Sequence, residues 1–303
     1  MMKSPSPHTL TAGELQATFW PGCGMLCASF RHREVELLRR IEDLETARSK
    51  GSTAGIPFLY PWANRLGGLN YRAAGREVAL DPSSPILHFD DRNLPMHGVP
   101  WPQLGWDVVT ATEDKILARL AWSSTELLAI FPFPHHVEMQ VQLEFGALCI
   151  ETTVFAGSES ALPVSFGFHP YFGLPRLARA QWTLQVPAMR QLTLDSRGIP
   201  TGAETASPAL DGPLGSTSYD TGFALARPGE TFSITGGGFS IAVEFCDGFR
   251  YAQIYAPGNK DFIAIEPMTA PTNALLSGSG LRIVRPGDHF TAIFRVSVDV
   301  ATP

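Results

Sequence analysis

Two titratable residues in this chain stand directly before a proline in apolar sequence: His169 in "FGFHPYFGL" and Glu266 in "IAIEPMTAPTNAL". Proline excludes the helical region for the residue before it, so both are pushed toward extended backbone. Their neighbours include Phe168, Tyr171, Phe172, Ile265 and Met268. Such surroundings raise the pKa of a carboxylic acid and disfavour an imidazolium, drawing both groups toward neutrality. A histidine and a glutamate tuned in this way can serve one substrate as general acid and general base. The bland alternative is a core histidine satisfied by backbone and a strand-end glutamate. Local pattern alone gives the two readings equal weight.

Two further polar clusters lie in Gly- and Pro-rich sequence, Arg65 in "LYPWANRLGGLNY" and His97 in "LPMHGVPW". Other chemistries find little support. There is no Walker phosphate loop and no GxSxG elbow, and "GGLNYRAAG" lacks the spacing of a dinucleotide fingerprint. His135 and His136 point to opposite faces if extended, so they make a poor chelate. No metal or cofactor is expected. Cys23, Cys27, Cys149 and Cys246 form no CxxC, which argues against a zinc site or a disulfide framework and fits a reducing cytoplasm. Cys149 and Cys246 lie in strand-like runs and are expected to be buried thiols. Acidic residues outnumber basic ones, 29 to 23, and no Lys/Arg block offers a nucleic-acid footprint or an anionic-membrane anchor. No apolar run is long enough to span a bilayer, and no secretory leader is signalled.

The elements that must hold these residues read as strands. In "HVEMQVQLEFGALCIETTVFAG", Val137, Met139, Val141, Leu143 and Phe145 alternate with polar residues; after Gly146-Ala147, Leu148, Ile150, Thr152 and Val154 alternate again. That pattern predicts a hairpin with one buried face. Strands are also predicted at "GWDVVTA", "KILARLAW", "QWTLQV", "FSIAVEF", "YAQIYA", "DFIAIEP" and "HFTAIFRVSV". Residues 198–218, rich in small and turn-forming types, predict a long surface loop. "REVELLRRIEDLETARS" has Val35, Leu38 and Ile41 at helical spacing and predicts a helix. The expected fold class is all-β, a large antiparallel β-sandwich with short helical connectors. No linker divides the chain, so residues 1–303 read as a single domain, with disorder expected at most over residues 1–7.

Taken together and in order, "ANRLGG", "MHGVPW", "FGFHPYF" and "IAIEPMT" resemble the aldose 1-epimerase (galactose mutarotase) family across most of the chain. The resemblance implies a galactose mutarotase-like β-supersandwich, which favours a strand at "EVELLRR". It implies His169 as general acid on the sugar ring oxygen and Glu266 as general base on the anomeric hydroxyl. Arg65 and His97 match positions that bind sugar hydroxyls, and Asp220 in "SYDTGFAL" matches an acidic substrate-binding position. The implied partner is a small-molecule aldohexose whose α and β anomers are interconverted. Of the aromatic residues, Trp62, Trp101, Tyr171 and Phe172 are candidates to stack on the sugar, with core packing as the competing role. Two other functions share the fold: a non-catalytic carbohydrate-binding module and a hexose-6-phosphate mutarotase. The first has no need of a paired acid and base. The second is expected to place arginines beside the substrate-binding histidine, and none stands between His97 and Trp106; Arg72, Arg76 and Arg92 remain able to converge in space.

Overall fold

The computed structural model describes residues 6–40, 54–175 and 177–301. Two large antiparallel sheets face each other. A nine-stranded sheet is centred on Phe239–Asp247, His289–Val300, Ala147–Ala156, His135–Glu144 and Lys115–Trp122. An eight-stranded sheet contains, in spatial order, Pro200–Ser207, Met189–Leu194, Tyr219–Ala224, Tyr251–Ala256, Ile263–Met268, Gly167–Phe168 and Phe58–Leu59, with Tyr171–Phe172 also paired to Ile263–Met268.

The inner faces meet through large rings. Phe168 packs on Phe294 with centroids 4.9 Å apart, and Phe223 meets Phe232 edge-on at 5.9 Å. Such offset and edge-on pairs add to the stabilisation from buried area. Period-2 alternation decides which residues face this core. In the predicted hairpin Val137, Met139, Val141 and Leu143 all point inward, opposite a second inward set of Leu148, Ile150, Thr152 and Val154. Phe145 departs from the expectation. It occupies the turn between Glu144 and Ala147 and is 86% exposed.

Three other expectations are corrected. Within "REVELLRRIEDLETARS", Val35–Glu36 is a strand returning on Arg31 and His32, and Leu38 bridges to Phe172, so this part is extended rather than helical. Its helical spacing is coincidental. Arg33 turns the chain at φ 52°, and Glu36 is fixed by Ser29 Oγ and the Phe30 amide at 2.6 and 2.9 Å. Residues 41–49 of that expectation lie outside the described residues, as do residues 1–5 of the expected disordered start. Second, the expected loop 198–218 contains the strands Pro200–Ser207 and Leu210–Pro213. Both lie at sheet edges, where half the backbone groups face solvent and no apolar alternation is required. Third, Cys149 and Cys246 are half-buried; the buried thiols are Cys23 and Cys27. The α-helices among the described residues are short connectors, Thr125–Ile130 and Ala274–Ser277. None is long and apolar enough to cross a membrane.

Candidate active site

Strand register brings His169 and Glu266 together. Gly167 faces Met268 and Tyr171 faces Ala264, so His169, midway between them, falls opposite Glu266. Pro170 has no amide hydrogen to give a ladder, and the chain between the two short strands is held instead by the His169 amide, which donates to the Pro57 carbonyl at 3.1 Å. Alternation then sets the face. Ile263 and Ile265 point into the sandwich core, whereas Ala264, Glu266 and Met268 point to the outer side of the sheet. On the neighbouring strands Gln253 lies opposite Glu266, and Asp220 lies opposite Tyr255. Gln253 Nε2 donates to Asp220 Oδ1 at 2.6 Å. His169, Glu266, Gln253 and Asp220 therefore share one face.

Two loops fold over that face and bury it. Asn64 and His97 both adopt left-handed backbone, φ 57° and 59°, and clasp each other. The His97 amide donates to the Asn64 carbonyl at 2.9 Å, and the Asn64 amide donates to His97 Nδ1 at 3.1 Å. An amide can only donate, so Nδ1 is the unprotonated nitrogen and Nε2 carries the hydrogen. Arg65 follows, its guanidinium held by Asp90 and Asn64. Arg65, His97, His169, Asp220 and Glu266 all line one cleft of about 240 Å³. Trp101 and Tyr171 line it as well, whereas Trp62 and Phe172 are fully buried core residues.

Inside the cleft His169 Nε2 is 3.2 Å from Glu266 Oε1, with both side chains almost wholly buried. Tyr171 stacks on the imidazole, centroids 4.2 Å apart and planes 14° from parallel. Burial, reinforced by the nearby charge of Asp220 and opposed by Arg65, pushes the Glu266 carboxyl well above the usual carboxylate range. Burial, with His97 nearby, pushes His169 well below the usual imidazole range. His97 is lowered to about 3, chiefly by burial. Among the described residues His169 Nδ1 and Glu266 Oε2 have no hydrogen-bond partner in the protein. A buried polar atom left unpaired is costly and uncommon, and here two of them sit in one cleft. Among the described residues no group of three His, Cys, Asp or Glu is arranged to hold a metal ion.

The aldose 1-epimerase family model matches residues 10–297. The chain belongs to the aldose 1-epimerase family. The Escherichia coli K12 protein YihR, itself uncharacterized, is 25% identical over 305 residues, covering 95% of this chain and 92% of YihR. Among solved structures, the Slr1438 protein of Synechocystis sp. PCC 6803 superposes with a TM-score of 0.80 at 24% identity, covering 99% of this chain and 97% of that one. A galactose mutarotase-like protein of Clostridium acetobutylicum gives a TM-score of 0.84 at 19% identity, covering 98% and 96%. These likenesses show that the sandwich is galactose mutarotase-like.

All five residues singled out from the sequence meet at this aldose 1-epimerase-family cleft. Sequence reading passed over Asn64, Gln253, Tyr255 and Asp90. Asn64 was visible inside "ANRLGG", but nothing in that string announces a left-handed residue clasping His97. Gln253 and Tyr255 carry a signal only once register is known. Their alternation in "YAQIYA" places them on one face without saying which strand lies beside them.

Proposed function

We propose that the cleft interconverts the α and β anomers of an aldohexose by acid–base ring opening and closure. The observation that carries this reading is the 3.2 Å contact of His169 with Glu266 in a buried cleft. The anomeric hydroxyl and the ring oxygen are bonded to the same carbon, so an acid and a base serving them must stand side by side. Two carboxyl groups more than 5 Å apart, as in glycosidases, would suit hydrolysis instead.

The pair shares one titrating proton. With the proton on His169, the Glu266 carboxylate takes hydrogen from the C1 hydroxyl while the imidazolium protonates the ring oxygen. The C1–ring oxygen bond breaks, C1 becomes the aldehyde carbon, and the pair is left as carboxylic acid and neutral imidazole. That is the state burial favours for both groups, so their burial stabilises the ring-opened stage. Rotation about C1–C2 and reversal of both transfers give the other anomer. Arg65 and the Nε2–H of His97 offer donors to sugar hydroxyls, and Asp220 offers an acceptor. Tyr171 and Trp101 supply apolar surface for the C–H face. The chemistry uses no cofactor and suits a cytoplasmic enzyme built as one domain.

A second reading is favoured by one observation. A methyl group built on Gly198 would lie 3.3 Å from Nη1 of both Arg65 and Arg92, so the two guanidinium groups reach the same turn. That arrangement suits a sugar with an anionic substituent, such as a hexose 6-phosphate. Arg76 instead lies over the Phe133 ring. The neutral sugar is preferred here, because Arg65 is already paired with Asp90. Polarimetry on fresh α-D-glucose and α-D-galactose tests the main reading. The expected result is mutarotation faster than buffer, with kcat/KM higher for the neutral hexose than for its 6-phosphate. Sugar binding by calorimetry without acceleration would establish a binding module instead. A higher value for the phosphate that falls in Arg92→Ala would establish the second reading.

A further inference from the structure

Asp90 stands behind Arg65 rather than in the cleft, and its two carboxylate oxygens have separate tasks. Oδ1 accepts the backbone amides of Arg92 and Leu94, each at 2.9 Å. The loop closes around it, with the Asp90 amide donating to the Leu94 carbonyl at 3.0 Å and the Asn93 amide to the Asp90 carbonyl at 2.9 Å. With Oδ1 fixed, the direction of Oδ2 is fixed, and it takes Arg65 Nε at 2.7 Å. On its other side the same guanidinium gives Nη1 to Asn64 Oδ1 at 3.2 Å. The Asp90 and Arg65 side chains are 8% and 14% exposed, so solvent screens the pair little. An arginine without such a partner would lose rotamer freedom each time it engaged a sugar.

We propose that Asp90 is the positioning residue of Arg65, locking its guanidinium in the orientation that meets a sugar hydroxyl. This rests on the reading of the cleft as a sugar site. Asp90→Asn separates the two tasks. The amide oxygen still accepts from Arg92 and Leu94, but an NH2 group then meets Arg65 Nε, donor against donor. Asp90→Ser provides a second variant that keeps a turn-forming acceptor without charge.

The test is calorimetric binding of D-galactose and D-glucose to the full chain. Asp90→Asn is expected to raise Kd about tenfold, the scale of one charge-assisted hydrogen bond, with KM following it and kcat nearly unchanged. In an Arg65→Ala background the same substitution should have no further effect on Kd, which a purely structural role would not produce. Unchanged Kd in both single variants overturns the proposal. So does an equal weakening with and without Arg65, or a wild type that binds neither sugar. Wild-type polarimetry reports separately on the epimerase reading, since binding without turnover sinks that reading and leaves the Asp90 comparison standing.

Discussion

His135 and His169 are the same residue type in nearly the same setting. Each adjoins a proline, each is surrounded by aromatic rings, and they are 8% and 5% exposed. His135 stacks on Trp122 with planes 21° apart, as His169 stacks on Tyr171. Burial lowers the pKa of both. The difference lies in their nitrogens. His135 Nδ1 faces the Phe133 carbonyl, which can only accept, so Nδ1 carries the hydrogen and Nε2 accepts from the Tyr60 hydroxyl. That ring is fully satisfied and has nothing left to do. His169 Nε2 lies 3.2 Å from the Glu266 carboxyl as well as 3.3 Å from the Tyr171 hydroxyl, and its Nδ1 has no partner among the described residues. Burial and aromatic neighbours alone therefore do not single out a candidate acid or base; what sets His169 apart is hydrogen-bonding capacity left facing a cleft beside a carboxyl group.

The largest effects should separate the two histidines. His169→Ala and Glu266→Gln are each expected to lower kcat for anomer interconversion ~10²-fold or more, since each removes one proton-transfer partner. The double variant should be little worse than the poorer single one, because acid and base act as a unit. His135→Phe should leave kcat within a few-fold and cost about 1–3 kcal/mol in stability, because the Tyr60 hydroxyl loses its buried partner. Mutarotation kinetics and thermal unfolding on all four proteins check this. A His135→Phe variant as inactive as His169→Ala would break the comparison.

Next in size are the residues around the His169–Glu266 pair. Arg65→Ala, His97→Ala and Asp220→Ala should each raise KM about tenfold, with smaller changes in kcat, as expected for groups that mainly hold the sugar. Normal steady-state kinetics in Asp220→Ala would remove that residue from the site.

How far the sequence foretold this site depends on the kind of constraint involved. His169 and Glu266 stood out because a following proline and apolar neighbours are local features. The strands of the central hairpin were legible because alternation is local too. Asp90 was not legible, since its role depends on a loop that brings it back onto a residue 25 positions earlier. The strand at Pro200–Ser207 was missed for a related reason. Its pairing with Met189–Leu194 supplies the backbone bonds, so its side chains carry no strand signature. Val35 and Leu38 misled because two apolar residues three positions apart fit a short hairpin return as well as a helix.

Two glycines sharpen the comparison further, one beside each histidine. A methyl group on Gly167 would lie 2.6 Å from the Pro267 carbonyl oxygen and 2.9 Å from Ala63 Cβ. On Gly157 it would lie 2.6 Å from the carbonyl oxygen of Pro134, the residue before His135. Each Gly→Ala substitution forces backbone to move and should cost about 1–3 kcal/mol of stability. Only Gly167→Ala should also lower kcat, by several-fold, because the displaced strand carries His169 away from Glu266. Equal kcat in both variants, measured at a temperature where both are folded, would show that the register of His169 against Glu266 tolerates displacement.

The smallest expected effect is a pH signature of the satisfied histidine. Burial pushes His135 down to about 4 from an ordinary value of 6.5, against the Phe133 carbonyl, which favours the charged form. Its folded pKa is thus below its unfolded pKa. Between pH 6.5 and 4 the unfolded chain takes up a proton there that the folded chain does not. Stability from this group is therefore full above pH 6.5 and falls as pH drops through the window, by at most about 3 kcal/mol. His97 falls in the same direction, so the wild-type curve alone cannot isolate His135. The difference between wild type and His135→Phe can. The variant is the less stable protein at pH 7, where the Tyr60 hydroxyl is stranded, but it has no imidazole to protonate on unfolding. Its deficit should shrink steadily as denaturant titrations are moved from pH 7 toward pH 4. A deficit that stays constant across that range would mean that His135 takes up its proton equally in both states. Burial would then not be holding the ring neutral, and the contrast with His169 would lose its physical basis.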